Sequence, residues 1–431
     1  MIRPIGIKNV DGELMINNNS FYKLKELFQT PLYIIDERQL NKNIDCYLNN
    51  FKSAMFKTTI CYATKAQLNF EIAKVMVHNN IMLDAVTIGD LFIIKEALGD
   101  LQSVVFHGNN KGIEEIKYAL DNNVGLIVVD NILEFRLLDN LVSEFNKDVN
   151  FLIRVNPHIE THTHEYIQTS KVASKFGISI DQWEVFDEIK RTTQRNEHLK
   201  WLGIHAHIGS NIFETISFKQ EISVMVNFIN KLNNELHIAL DVLNIGGGIG
   251  VKYNKLDPTI KLDDFIQEII CYLEDEICKT NSLVHSVMIE PGRSLIANAG
   301  VTLYSIGGIK NSDVKNYIFI DGGMTDNIRT ALYQAKYSYD VVRKVNEEAI
   351  FLADVVGKCC ESGDKIIENG MFPSIDNNDL LLVYTTGAYN YSMASNYNGM
   401  LKPGCILVKE DGTVKEIVRR EILTDLIKTF K

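Results

Sequence analysis

The chain has 431 residues, too many for one ordinary hydrophobic core, so two domains are expected, one of which can be a barrel of about 250 residues. Hydrophobic residues make up 46% and charged residues 23%, mean hydropathy is near zero, and no apolar run approaches the ~20 residues of a membrane span, so the chain reads as globular with no place in a membrane. The net charge of -11 repels nucleic-acid backbones and anionic lipid surfaces, which argues against a nucleic-acid partner and requires a local positive site for any bound anion.

From the N-terminus, Met1-Ile2-Arg3-Pro4-Ile5-Gly6 lacks the apolar core of a signal peptide, and the seven cysteines of the chain form neither an even disulfide framework nor a paired Cys-x-x-Cys zinc pattern; a reducing cytoplasm is expected. The residues before Pro31 read as short strands with a turn at Asp11-Gly12, expected to join a β domain, and Leu32-Ile35 is expected to lead into a barrel. Eight Val-, Ile- and Leu-rich runs follow, at Ile60-Lys65, Met82-Thr87, Val104-Gly108, Leu126-Asp130, Phe151-Asn156, Leu202-Gly209, Val242-Gly247 and Val287-Gly292. Helix-length segments with polar faces separate nearly all of them, among them Phe70-His78, Leu91-Ala97, Gly112-Ala119 and Ile132-Phe145.

That count fits a (β/α)8, TIM-like barrel. A doubly wound sheet alternates in the same way. The barrel is favoured because Lys65, Asp84, His107, Asp130, Asn156, His207, Gly246 to Gly248 and Glu290 all fall at or near a strand's carboxyl end, where a barrel keeps its active site. Beyond residue 300 the texture changes to short apolar runs bounded by Gly, Asn, Asp and Pro, at Val301-Gly308, Tyr317-Asp321, Ile350-Val356, Leu380-Thr386 and Cys405-Val408, which predicts a mostly β second domain. The expected division is a barrel over 31–300 and a β domain built from 1–30 and 301–431.

Four features carry chemistry. The run Thr59-Ile60-Cys61-Tyr62-Ala63-Thr64-Lys65, read as a strand, puts Cys61, Ala63 and Lys65 on one face, with small residues leaving room for an amine that can form an imine with an aldehyde such as pyridoxal phosphate. A surface lysine at a strand end is the plain alternative. His205 and His207 lie two apart on a strand and, with His158, His162 and His164, invite a zinc reading; the lysine and glycines at the other strand ends do not supply further ligands, and stacking of an imidazole on a flat ring competes. Gly246-Gly247-Gly248 can turn backbone N–H groups toward a lone phosphate, with Ser210 adding a hydroxyl, but matches neither the dinucleotide nor the Walker pattern and is equally a tight turn. Glu290-Pro291-Gly292-Arg293 offers a carboxylate that can keep a pyridine nitrogen protonated, or one that pairs with Arg293 to close the barrel.

Taken with Tyr62-Ala63-Thr64-Lys65, Phe106-His107-Gly108-Asn109-Asn110-Lys111, Arg154-Val155-Asn156-Pro157, Thr161-His162-Thr163-His164-Glu165-Tyr166, Ser174-Lys175-Phe176-Gly177, His205-Ala206-His207-Ile208-Gly209-Ser210, Arg329-Thr330-Ala331-Leu332-Tyr333, Cys360-Glu361-Ser362-Gly363-Asp364 and Gly387-Ala388-Tyr389, these motifs make nearly the whole chain resemble the fold-type III pyridoxal-phosphate decarboxylases. The resemblance implies an alanine-racemase-like barrel completed by a β domain and a head-to-tail homodimer in which the Cys360 motif of one subunit closes the other's site. It implies pyridoxal 5'-phosphate as cofactor and no metal. By the resemblance, Lys65 carries the internal imine, His207 stacks on the ring, Glu290 holds the pyridinium nitrogen, and Ser210, Gly246 to Gly248 and Tyr389 hold the phosphate, with Gly292 and Arg293 beside them. Arg293, Arg329, Tyr333 and Glu361, with Tyr389, resemble the grip on the far end of an amino-acid substrate, and Cys360 is the expected proton donor.

The reaction this implies is decarboxylation of meso-2,6-diaminopimelate to L-lysine and carbon dioxide, the last step of lysine biosynthesis. The rivals are a decarboxylase of the same family acting on D-lysine, D-ornithine or carboxynorspermidine, a racemase, against which the Cys360 motif speaks, and a non-catalytic cofactor-binding homologue, against which Lys65 and Cys360 speak. The chain departs from the family's usual pattern at Thr330, at Thr87-Ile88-Gly89-Asp90 and at Thr169-Ser170-Lys171-Val172-Ala173, and the last two bear on substrate choice.

Overall fold

In a computed structural model, which describes residues 2–159 and 174–431, eight parallel strands close into a barrel. In chain order they are Lys57–Tyr62, Met82–Ala85, Val104–Phe106, Leu126–Val129, Val149–Asn156, Leu199–His205, Val242–Asn244 and Ser286–Ile289. Each pairs with its neighbours in sequence, and the eighth pairs with the first through Ser286 opposite Lys57, which closes the ring. The strands are apolar on both faces because side chains fill the interior while helices cover the outside. All four residues of Leu126–Val129 are buried, and Leu126 and Val128 share the face that packs with Cys61, Val105, Leu152 and Met288.

The helices start where the sequence supplies a cap. Asn69 and Asn131 turn their side-chain oxygens onto the first free N–H groups of Phe70–His78 and Ile132–Phe145. Thr87 and Asp90 form a reciprocal capping box at the head of Ile88–Leu98, so the departure at Thr87-Ile88-Gly89-Asp90 is a self-sufficient helix start. Thr330 sits in the first turn of Arg329–Tyr333 and donates its hydroxyl to the Asn327 carbonyl at 3.3 Å.

The chain divides into two compact units. The barrel comprises residues 44–250 and 260–294; the other unit comprises 1–43, 251–259 and 295–431. The second unit holds a mostly antiparallel sheet of nine strands. Its long strand Gly300–Lys310 pairs antiparallel with Tyr317–Ile320, Leu380–Tyr384 and Leu32–Asp36. Leu32–Asp36, expected to lead into the barrel, is therefore an inner strand of this sheet, lying between Gly300–Lys310 and Gly404–Val408. All five of its residues are buried. Residues 251–259, expected in the barrel, join the same unit because the Tyr253 ring packs with Tyr304, Ile306 and Tyr337. The opening strands Ile7–Val10, Glu13–Ile16 and Asn19–Ser20 form a small sheet of their own. Leu14 and Ile16 nevertheless bury against Leu32, Val301 and Ile406, and the chain turns between the first two strands at Asp11 (φ 52) and Gly12 (φ 92). Strands at Tyr339–Val341, Lys365–Phe372 and Val414–Val418 were without a sequence expectation.

Candidate active site

At the first barrel strand the ladder ends at Tyr62, and Lys65 sits in a 3-10 turn, Thr64–Ala66, not on the strand as expected. Thr64 fixes the turn: its N–H donates to Asp84 Oδ1 at 2.7 Å and its hydroxyl to the Asp84 carbonyl at 2.7 Å. Burial pushes the Asp84 carboxyl above the usual range, against the pull of the Lys65 ammonium. Lys65 itself is exposed.

Glu290 follows the eighth strand and is 8% exposed. Nε2 of His107 lies 2.8 Å from Oε1, Nδ2 of Asn244 donates to the same oxygen at 2.7 Å, and Nε2 of His205 lies 3.2 Å from Oε2. Burial opposes charge on Glu290, but the two imidazoles outweigh it and hold the carboxyl well below its ordinary range. These partners differ from the Arg293 pair weighed in the sequence. Arg293 donates from Nη2 to Ser210 Oγ at 2.9 Å.

His205 and His207 do not act as a matched pair. His205 is the last residue of its strand and turns to Glu290, with burial pushing its pKa down to about 4. His207 lies beyond the strand, and its Nδ1 accepts from the Gly247 N–H at 3.1 Å, which fixes a neutral ring with the hydrogen on Nε2. Burial, and then the charge of Lys65, hold its pKa well below the usual histidine value. Among the described residues, His107, His205 and Glu290 are a cluster with donor atoms close enough for a metal ion. His162, His164 and the segment Thr169–Ala173 lie outside the described residues.

The glycine run can hold no side chains. A Cβ on Gly246 would lie 2.5 Å from the Ala206 carbonyl, on Gly247 2.0 Å from the Glu290 carbonyl, and on Gly248 2.2 Å from the Gly209 carbonyl. Gly246 and Gly248 have φ of 59 and 115. A Cβ on Gly292 would lie 2.8 Å from that of Ala63, so this glycine lets the eighth strand's loop lie against the segment carrying Lys65. Beyond the carboxyl ends of the barrel strands thus lie an amine (Lys65, first strand), a neutral imidazole (His207, sixth), a bare backbone loop (Gly246 to Gly248, seventh), a carboxylate held ionised (Glu290, eighth) and an arginine–serine pair (Arg293 after the eighth, Ser210 after the sixth). That donor set fits pyridoxal phosphate, whose aldehyde, ring nitrogen, ring face and phosphate need groups of these kinds.

The remaining expected residues lie in the other unit. Arg329 opens the Arg329–Tyr333 helix and is buried, with its guanidinium 5.3 Å from the ring centre of Tyr253, 5.6 Å from Tyr333 and 5.5 Å from Tyr389. Burial disfavours its charge, yet the tyrosines more than compensate and raise its pKa. Cys360 and Glu361 lie in an exposed loop. The Cys360 N–H donates to Asn398 Oδ1 at 2.9 Å and the Tyr397 hydroxyl donates to Glu361 Oε2 at 3.2 Å. Cys359 beside them is buried, and burial with Asp364 pushes its thiol up to about 11, as suits an inert cysteine. Arg329, Tyr333 and Tyr389 are thus brought together, and Cys360 and Glu361 form a second group.

Sequence reasoning assigned no role to Asn244 or Tyr253. The available signal for Asn244 was an amide inside an otherwise apolar strand, directly before three glycines.

A family model described as pyridoxal-dependent decarboxylase, pyridoxal binding domain, matches residues 41–297. The chain is similar to the diaminopimelate decarboxylase of Staphylococcus aureus (strain COL), with 40% identity over 421 residues, covering 97% of this chain and 98% of that one. It is similar to that of Bacillus subtilis (strain 168), with 36% identity over 422 residues, covering 98% and 96%. Among solved structures it is similar to the diaminopimelate decarboxylase from M. jannaschii in co-complex with L-lysine, with a TM-score of 0.91, 29% identity and coverage of 100% and 99%.

Proposed function

This chain belongs to the diaminopimelate decarboxylase family of pyridoxal-dependent decarboxylases, and we propose that it removes carbon dioxide from meso-2,6-diaminopimelate to give L-lysine, the last step of lysine biosynthesis. The observation that carries this is similarity over essentially the whole chain to enzymes of that name; the M. jannaschii relative was solved with L-lysine.

Bound pyridoxal phosphate supplies an aldehyde for amines and a protonated ring that accepts the electron pair left behind by departing carbon dioxide. Lys65 anchors it through Nζ, in a turn that Asp84 holds in place. Glu290, kept ionised by His107 and His205, holds a proton at the ring nitrogen. His207, whose imidazole is held neutral, would contact the ring and keep water from it. Ser210, Gly246 to Gly248, Gly292, Arg293 and Tyr389 take the phosphate region. Arg293, Arg329 and Tyr333 bind the substrate's distal carboxylate and Glu361 its ammonium, a match of charge that D-lysine, lacking the distal carboxylate, cannot make. Cys360 Sγ returns the proton to the α-carbon.

The protein acts as a homodimer with shared sites. Cys360 and Glu361 are exposed on the single chain, as groups delivered to a second subunit would be. None of the seven cysteines is in a disulfide, in keeping with a cytoplasmic setting. Carbon dioxide release from meso-diaminopimelate, compared with D-lysine, D-ornithine and carboxynorspermidine, tests the assignment. Strong preference for meso-diaminopimelate is expected. Preference for another of the four would keep the chemistry and replace the substrate.

A further inference from the structure

Glu290 is gripped by more donors than a simple ion pair needs. Oε1 takes His107 Nε2 at 2.8 Å and Asn244 Nδ2 at 2.7 Å, and Oε2 takes His205 Nε2 at 3.2 Å. All four side chains are buried. An ionised carboxylate offers about four lone-pair sites, two on each oxygen. Among the described residues three are filled, and the remaining one belongs to Oε2.

The donors are themselves oriented. Asn244 Oδ1 accepts the Gly246 N–H at 2.9 Å, so the amide cannot flip and its NH2 must face Glu290. The Glu290 N–H in turn donates to the Gly246 carbonyl at 2.6 Å. His205 Nδ1 is buried without a hydrogen-bond partner among the described residues, so the ring is neutral and its single hydrogen is on Nε2, facing the carboxylate. The rings of His107 and His205 meet edge to face, with centres 4.9 Å apart, and fix each other's tilt. Two other buried carboxyls that sense Glu290, Asp84 and Glu221, are pushed by burial toward the neutral form while Glu290 is held charged. The same cluster could be read as a cation site, but the Asn244 NH2 occupies a lone pair of Oε1 that a cation would need.

We propose that His107, His205 and Asn244 are positioning residues that hold Glu290 ionised and leave one lone pair of Oε2 for a ring nitrogen, so that the chain selects a protonatable pyridine ring over the same ring without nitrogen. The proposal rests on the reading of Glu290 as the ring nitrogen's partner.

The test is binding, not turnover. Full-length protein stripped of cofactor is titrated with pyridoxal phosphate and with its 1-deaza analogue, in which carbon replaces the ring nitrogen, and the ratio of dissociation constants is the readout. His205→Ala and Asn244→Ala reduce the wild-type preference by about ten- to a hundredfold, the scale of one charge-assisted hydrogen bond. His205→Gln, which keeps an N–H donor, restores most of it. If Glu290→Gln erases the preference while both alanine variants keep it, the positioning role is overturned and the reading of Glu290 stands. If Glu290→Gln leaves the preference intact, both fall. A second measurement needs no destabilising variant: the carboxyl 13C shift of Glu290 in the cofactor-free wild-type protein, assigned by difference with Glu290→Gln. It reports an ionised group below about pH 4, beneath the ordinary glutamate midpoint; protonation above that midpoint overturns the proposal.

Discussion

A methyl group added at Gly247 would lie 2.0 Å from the carbonyl oxygen of Glu290, well inside van der Waals contact and against backbone that cannot swing away. Gly247→Ala therefore separates the seventh and eighth strand ends, and cofactor binding weakens by on the order of a hundredfold, which a titration of the cofactor-free protein measures. His205 makes a prediction about pH. Its pKa falls from 6.5 to about 4 on folding, so between these values the unfolded chain takes up a proton that the native state refuses. Stability from this group is complete above pH 6.5 and is lost as pH falls toward about 4, by about 3 kcal/mol at full extent. Glu290, held low, acts with the same sign at lower pH. Urea midpoints at pH 7 and pH 5 for wild type and His205→Gln check this: the variant's drop is smaller, and equal drops would remove His205 from the titration. Single residues such as Lys65, Glu290 and the glycines were legible in the sequence because polar or bare positions stand out at the ends of apolar runs. Their partners were not, since His107, His205 and Asn244 stand 183, 85 and 46 residues from Glu290, beyond any local pattern.

Barrel elements are joined by buried polar ties as well as by their ladders. Lys111 Nζ, nearly out of solvent, donates at 2.7 Å to the Gly108 carbonyl, the Val128 carbonyl and Glu134 Oε1. One ammonium thus pins the loop after the third strand to the fourth strand and to the first turn of helix Ile132–Phe145. Lys111→Met leaves the Glu134 carboxyl buried without its countercharge and costs about 3–5 kcal/mol, while Lys111→Met with Glu134→Leu recovers much of the loss. Thermal unfolding of both variants decides it; a double variant no better than the single one would locate the cost in packing. At this scale the helices were legible because Phe70–His78 and Ile132–Phe145 carry both period and cap. Strand ends were overrun, as at Lys65 and His207, because the candidate site residues continue past the last ladder bond on turns with the same apolar texture. Lys365–Phe372 was missed because it mixes exposed Glu368 and Asn369 with buried Ile366 and Ile367, so its alternation is broken.

The chain passes from one compact unit to the other and back twice, at residues 43–44, 250–251, 259–260 and 294–295. Leu32–Asp36 could not be assigned from its sequence because its ladder partners, Gly300–Lys310 and Gly404–Val408, are hundreds of residues away, and an apolar five-residue strand suits either unit equally. The same separation spreads the proposed chemistry: Lys65 belongs to the barrel, whereas Cys360 is carried by an exposed loop of the other unit. If Cys360 serves a second subunit, Lys65→Ala and Cys360→Ala chains complement each other. Each is inactive alone, because every site of its dimer lacks either the anchoring amine or the proton donor. Equal mixing with subunit exchange makes half the dimers mixed, and each mixed dimer has one doubly deficient site and one intact site, so about a quarter of wild-type activity returns. Carbon dioxide release on mixing, with exchange followed by native mass spectrometry, measures it. A mixture that exchanges subunits and stays inactive would place Cys360 and Lys65 in a site completed within one chain, and the exposure of the Cys360 loop would then require a different cause.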